Sequence, residues 1–300
     1  MAFNIVCVSR DPVFEQKFAA QLDGSAYDLV VVNVDCFREN NDSILDAHRP
    51  RCVMHFLPQN GLVDASYIAD AKRLSAYTNE NNIHFIQLSS FRVFGDQPQQ
   101  KNFIESDLAC DSTSQSVLLF QLEQAITDNK KALVVRTSWL LNSSENGVFS
   151  CLLSTLLGED KSLAVSDHNF GNPIHCRFLI DSLIAIIRQQ LCGGRNAGVY
   201  HLCSADTASE AELTDHLMRM LNNSYQQQLT LPPIAGAGDD RTAMPVNARL
   251  DATRLTHSFG IQLPTWRKGF KTVFDVWLKE NCSKNEKLIQ LQKSLIKEDA

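Results

Sequence analysis

The stretch FNIVCVSRDPVFEQKFAAQL near the amino-terminal end runs an apolar segment into a four-residue turn and then into apolar positions at helical spacing. A nucleotide-binding βαβ unit usually begins this way. Its turn carries glycines, because missing Cβ atoms let backbone amides and a helix N-terminus approach a pyrophosphate. Here the turn is Ser9-Arg10-Asp11-Pro12, and the first glycine of the chain is Gly24. Asp11 before Pro12 reads as an N-cap with proline at the first helical position, and Glu15 adds negative charge. A carboxylate is therefore expected to take the amides and dipole end that a phosphate would use. Two residues here retain nucleotide chemistry and are the candidate cofactor-binding residues. Arg10 can reach a phosphate from the loop, and Asp35 follows the second apolar run, where a ribose-binding acid often sits. Solvated turn charges are the bland alternative for both.

Other chemistry-bearing residues are dispersed. His55, His168 and His175 form no pair spaced for a metal, and the nine cysteines never fall as C-x-x-C, so no metal site is expected. Several cysteines lie in apolar runs, where they pack as small hydrophobes, and a reducing compartment is the expectation.

The first half of the chain alternates short β-rich runs with amphipathic helices: FNIVCV, a helix from Pro12, DLVVVN, a helix near Ser43, RCVMHFL, a helix from Val63 to Asn79, IHFIQL, a helix from Ser112 to Thr127, and ALVVRTSWLL. Such alternation predicts a parallel sheet with helices on both faces, and the continuously apolar runs predict strands buried on both sides. After Leu141 the rhythm loosens into a helix over GVFSCLLSTLLG, a strand SLAVSD, a loop HNFGNPIHCR, a helix FLIDSLIAIIRQQL, a strand GVYHLC and a helix opening at TASEAEL. PTWRKGFKTVFDVWLKE reads as a helix with Pro264 beside its first turn. The fold class expected is α/β: a Rossmann-like doubly wound parallel sheet over residues 1–141, a smaller C-terminal α/β portion over 142–282 that shares elements with the first, and a tail over 283–300. In the tail, Leu288, Leu291, Leu295 and Ile296 share one helical face suited to docking.

With 300 residues and 44% apolar content, the chain can bury a large core. A net charge of −6, dispersed along the chain, gives no electrostatic reason to expect nucleic acid or an anionic membrane as partner. No apolar stretch approaches the ~18 residues of a membrane span, and no signal peptide is expected ahead of the first strand. A cytoplasmic protein is the resulting expectation.

Several segments resemble, in order, those of the dTDP-4-dehydrorhamnose reductases, RmlD-type members of the extended short-chain dehydrogenases/reductases. LSSFRVFGD resembles the family's S-T-D-Y-V-F-D-G, and NFIESD its P-Y-x-E-x-D. LVVRTSWLL resembles L-x-x-R-T-S-W-V-Y, VSDHNFGNPIHCRFLID resembles D-Q-x-G-x-P-T-x-x-x-D-L-A, and GVYHLCS resembles G-x-Y-H-x-x-G. ARLDATRLTHSFGIQLPTWRKGF is similar to the closing R-L-D-x-x-K-L-x-x-x-F-G-I-x-L-P-x-W-R. The resemblance runs from about residue 3 to 280.

It implies reduction of a 4-keto sugar nucleotide by a nicotinamide. A tyrosine in Y-x-x-x-K supplies the proton, its lysine one helical turn on lowers the tyrosine pKa and holds the ribose, and a Ser or Thr binds the carbonyl. Aligning SQSVLLFQLEQAI on the family's Y-G-x-x-K-x-x-x-E-x-A-I puts Gln115 at the tyrosine and Leu119 at the lysine, with Glu123 and Ala125 keeping register. Tyr27, Tyr67, Tyr77, Tyr200 and Tyr225 all lack a lysine four residues on. Ser90 stands at the Ser/Thr position as a vestige of the catalytic set. The resemblance further places Ser90, Trp139, Asn172 and Arg177 at the substrate pocket, beside the Gly171 to Pro173 turn that reverses the chain, with Arg177 the candidate for an anionic ligand.

The expectation is a non-catalytic relative, a binding or regulatory module on a degenerate scaffold. The regulatory subunit of methionine adenosyltransferase, which looks like a reductase of this group, is a precedent. No cofactor is expected to bind tightly, with NAD(P) at most weak; a nucleotide sugar, a protein partner or a second copy are the ligands and partners considered. The alternative is an active sugar-nucleotide reductase or epimerase with an unorthodox site, Ser90 polarising the carbonyl and a water or histidine giving the proton. A purely structural assembly subunit is the third reading.

Overall fold

The computed structural model describes residues 3–40, 42–57, 62–95, 101–109, 113–142, 147–157, 164–224, 228–235 and 247–281. The first half builds β1 (Phe3–Ser9), α1 (Pro12–Leu22), β2 (Tyr27–Asn33), α2 (Val34–Asn40), α3 (Ser43–His48), β3 (Cys52–His55), α4 (Ala65–Glu80), β4 (His84–Ser90), α5 (Ser114–Gln124) and β5 (Ala132–Thr137). The second adds β6 (Leu140–Leu141), α6 (Val148–Leu157), β7 (Val165–Ser166), β8 (Phe170–Gly171), β9 (Ile174–His175), α7 (Cys176–Leu191), β10 (Gly198–Leu202) and β11 (Ala208–Ser209). It closes with α8 (Glu210–Ser224), β12 (Ile234–Ala235), β13 (Asn247–Ala248), α9 (Thr253–Phe259) and α10 (Phe270–Asn281).

Six strands form one parallel sheet in the order β10-β5-β4-β3-β1-β2. The starts of α1, α4 and α5 are set by polar side chains that take free amides. Asp11 caps α1, Asp64 accepts from Ser66 N and Tyr67 N at the head of α4, and Thr113 and Ser116 make a reciprocal capping box on α5. One face of the sheet packs against α4 and α5 and continues into residues of α6, α8 and α10, such as Phe149, Leu217 and Phe270. The other packs against α1, α7 and α9 through Phe18, Leu183 and Leu255. The first of these cores runs without a break across residue 141, and β10, from the second portion, completes the sheet.

Three expectations are corrected. DLVVVN is not buried on both sides: β2 is the outer strand, only Val32 of it is buried, and Val31 is 40% exposed, because no strand among the described residues pairs beyond it. The last helix begins at Phe270, not beside Pro264; Trp266 to Gly269 form a turn, and Gly269 adopts φ 82° to enter the helix. The helix expected near Ser43 is preceded by a second one, α2, that starts directly from β2. The tail residues Leu288, Leu291, Leu295 and Ile296 lie outside the described residues.

Candidate functional site

Chain order reverses between β1 and β3, so the crevice at their carboxyl ends is where an open parallel sheet holds ligands. Ser9, Arg10 and Asp11 form its lip. Asp11 Oδ1 accepts from Phe14 N at 3.0 Å, and Asp11 N donates to Ser9 Oγ at 3.0 Å, so the turn closes on its own helix. Arg10 and Asp35, far apart in sequence, meet in an ion pair between half-exposed side chains. Behind them Arg38 grips Asp70 with Nε at 3.0 Å and Nη2 at 2.6 Å from Oδ2, and also donates to Ser66 Oγ at 2.6 Å. Asp70 is buried on α4, and this fork from α2 supplies its counter-charge.

Beneath this lip lies a buried polar group. Gln87 Nε2 donates to the carbonyls of His55 at 3.3 Å and Leu88 at 2.8 Å, which turns its Oε1 toward His55 Nδ1 at 2.8 Å. The proton of the neutral imidazole is thereby assigned to Nδ1, leaving Nε2 a buried acceptor with no partner among the described residues. Burial pushes His55 down to about 4, with Gln87 pulling weakly upward. Its ring stacks on Tyr67 at 5.2 Å, whose buried hydroxyl also has no partner among the described residues and is pushed up by burial while Arg10 and Arg38 pull it down. Local sequence gives no signal for Arg38, Asp70, Tyr67 or Gln87, because their contacts join residues from twelve to thirty-two apart.

The positions of the missing tyrosine and lysine are filled by structural side chains. Gln115 Oε1 accepts from Val63 N at 2.9 Å, and its Nε2 donates to Val63 O at 3.0 Å. Its amide thus pairs both backbone groups of Val63, the segment leading into α4, as a neighbouring strand would. Leu119 is fully buried in the core. Further along α5, Glu123 takes Arg136 Nε at 2.9 Å, Arg136 Nη2 at 2.6 Å and Ser89 Oγ at 2.6 Å, pinning α5 to β4 and β5 through a fully paired buried charge. Ser90 ends β4 and accepts from Arg92 N at 3.3 Å, capping the short 3₁₀ turn Phe91–Phe94.

In the smaller portion, Trp139 is buried and lies flat against Gly171: a Cβ there would fall 2.5 Å from the indole. Gly171 sits in β8 with no left-handed backbone, so this close approach selects glycine, in place of the chain reversal expected of it. Asn172 is a buried staple, donating to the carbonyls of Ser204 and Asp206 and accepting from Leu250 N at 3.0 Å. Arg177 is exposed on α7 and pairs with Asp181 at 3.8 Å. His175 Nε2 meets the Trp266 carbonyl at 2.9 Å, and His168 lies beside Asp167. The structure therefore joins Arg10 to Asp35, and brings Trp139 and Asn172 together around Gly171, Ser138 Oγ accepting from Asn172 N at 2.9 Å. Among the described residues no group of three or more His, Cys, Asp or Glu could hold a metal, the cysteines are free thiols, and no helix is long and apolar enough to cross a membrane.

Comparison with known proteins agrees with this architecture. The dTDP-4-dehydrorhamnose reductase of Burkholderia thailandensis is 27% identical over 205 residues, 65% of this chain and 68% of that one. The Sinorhizobium fredii reductase is 24% identical over 152 residues, half of each chain. Among solved structures, the Bacillus anthracis dTDP-4-dehydrorhamnose reductase in complex with NADP superposes with a TM-score of 0.74 at 16% identity, covering 92% of this chain and 99% of that one. The Bordetella bronchiseptica enzyme WbmG in complex with NAD and UDP gives 0.72 at 12% identity, covering 93% and 95%. At these identities the structures establish a shared Rossmann-like fold. Residues 65–278 match the model of the RmlD substrate binding domain, and the chain belongs to that family.

Proposed function

We propose that this chain is a non-catalytic member of its family, a binding or regulatory module built on the reductase scaffold. The observation that carries the reading is the Gln115 amide, which is engaged on both sides by Val63 and has no titratable proton to give. Leu119, buried in the core one turn on, brings no cation to the position where the family's lysine would act. At the crevice lip the Asp11 carboxylate already occupies an amide of the α1 N-terminus, so the residues present do not fit the usual seat of a dinucleotide pyrophosphate. NADP and NAD, held by the structural neighbours, are the first ligands to test, and a nucleotide sugar the second. In this reading residues 1–141 and 142–282 keep the division between a nucleotide side and a sugar side, in the cytoplasm, and the partner is another protein or a second copy.

The test is a titration of the full chain with NADPH at tens of micromolar, followed by thermal unfolding. No quenching of tryptophan fluorescence and no rise in melting temperature is the expected result, because a ligand of the native state must stabilise it. A clear rise together with consumption of NADPH on a dTDP-4-keto sugar would refute the reading.

A second reading, an NAD(P)-dependent sugar-nucleotide reductase or epimerase with an unorthodox site, is favoured by the relatives, which are named reductases. Ser90 would then polarise the carbonyl, and loss of NADPH consumption in Ser90→Ala would support it.

A further inference from the structure

At the amino ends of the strands, opposite the crevice, lies a cleft of about 540 Å³ lined by Arg49 and Arg51 ahead of β3, Asn82 and His84 at the start of β4, and Lys131 ahead of β5. Three cations face it and one carboxylate, Asp46, which already accepts from the Tyr77 hydroxyl at 2.8 Å. The cleft thus carries a local excess of positive charge on a chain whose net charge is −6. Neither Arg49 nor Arg51 has a carboxylate partner among the described residues; Arg51 lies over the Phe3 ring at 5.3 Å, and Lys131 Nζ donates to the Asn82 carbonyl at 2.9 Å.

Cations often gather at helix C-termini to balance the dipole, and α3, α4 and α7 all end near this cleft. Here those ends are already closed by backbone. Arg49 N donates to Leu45 O, Asn81 N to Tyr77 O, Ile83 N to Thr78 O, and Cys192 N, Gly193 N and Gly194 N to the last carbonyls of α7. Arg49 and Arg51 are left without a carboxylate among the described residues, and Lys131 Nζ keeps two further protons beyond the one on the Asn82 carbonyl. The His84 ring lies beside them: its Nδ1 is buried with no partner among the described residues, and burial first, then Lys131 and Arg51, act against its protonation, opposed by a hydrogen bond to the Gln190 backbone.

We propose that this cleft binds a small soluble phosphate ester, its phosphate oxygens on Arg49, Arg51 and Lys131 and its remaining body against Pro50, Ile83 and Leu191. An anion between the cations offsets the part of the field on the His84 ring that comes from Lys131 and Arg51, which favours its protonation. The size suits a nucleoside mono- or diphosphate. The inference is independent of the function proposed above, since the crevice lies at the other end of the sheet.

The experiment is calorimetric titration of the full chain with sodium pyrophosphate, against sodium chloride at equal ionic strength. Saturable one-site binding is expected, weakened about tenfold or more in Arg49→Gln/Arg51→Gln and unchanged in Arg10→Gln. In the wild-type protein, where folding of a variant is not at issue, pyrophosphate is expected to shift the His84 imidazole resonances toward the protonated form, while chloride leaves them in place. Heat matched by chloride, equal affinity in the double variant, loss of binding in Arg10→Gln, or a response only to vesicles of anionic lipid would each overturn the proposal.

Discussion

Replacing Gln115 with alanine separates a structural role from a vestigial catalytic one. The substitution removes two hydrogen bonds, at 2.9 and 3.0 Å, and strands both backbone groups of Val63, a residue only 3% exposed. A neutral hydrogen bond contributes about 0.5–1.5 kcal/mol net, and a buried group left unpaired costs about 1–3 kcal/mol. Gln115 itself is half-buried, so water can enter behind the truncated side chain and recover part of the loss. A destabilisation of about 2–3 kcal/mol follows from these ranges. Urea unfolding at pH 7.5 is the assay, with the midpoint falling and the slope unchanged if only native-state stability is affected. Gln115→Glu sharpens the result, because a carboxylate cannot donate to the Val63 carbonyl; it should be at least as destabilising as alanine. A loss below about 0.5 kcal/mol in both variants would refute the claim that this side chain clamps the entry to α4.

Three further outcomes are expected. Gly171→Ala drives a methyl into the Trp139 indole and should cost about 1–3 kcal/mol in urea unfolding, most of it recovered in the Gly171→Ala/Trp139→Leu double variant. His55 titrates near 4 when folded and near 6.5 when unfolded, so the unfolded chain binds more protons between these values; stability is full above about pH 6.5 and falls as pH drops toward 4. Between pH 7.5 and 5 this group alone should remove about 2 kcal/mol, and His55→Leu should flatten that part of the urea-measured profile. Glu123→Ala leaves Arg136 buried without its carboxylate and should cost about 3–5 kcal/mol, whereas Glu123→Leu/Arg136→Leu should recover most of the loss on the same assay.

The strands and their parallel arrangement were legible because β1, β3, β4 and β5 are short runs rich in β-branched and aromatic residues that alternate with longer amphipathic segments. The edge position of β2 was not, since DLVVVN is as apolar as its neighbours and exposure depends on which strand lies beyond it. The Asp11 cap could be read from Asp-Pro alone, because capping is local. Gly171 was legible as a residue but not in its reason: its backbone is ordinary, and the constraint comes from an indole thirty-two residues away. The absence of the tyrosine–lysine pair was visible in composition and register. What replaced it was not, because nothing in SQSVLLF announces that one glutamine amide will pair with a loop fifty-two residues earlier. The Arg38–Asp70 fork and the bare His55 Nε2 escaped for the same reason.

The Arg10–Asp35 pair also sets how the crevice lip would respond to its surroundings. An anion arriving at Arg10 must displace Asp35, so one ion pair is broken for each one made and uptake becomes an exchange of partners with little net release of counterions. Its affinity should then fall only shallowly as salt is raised, while removal of the Asp35 carboxylate would steepen that dependence.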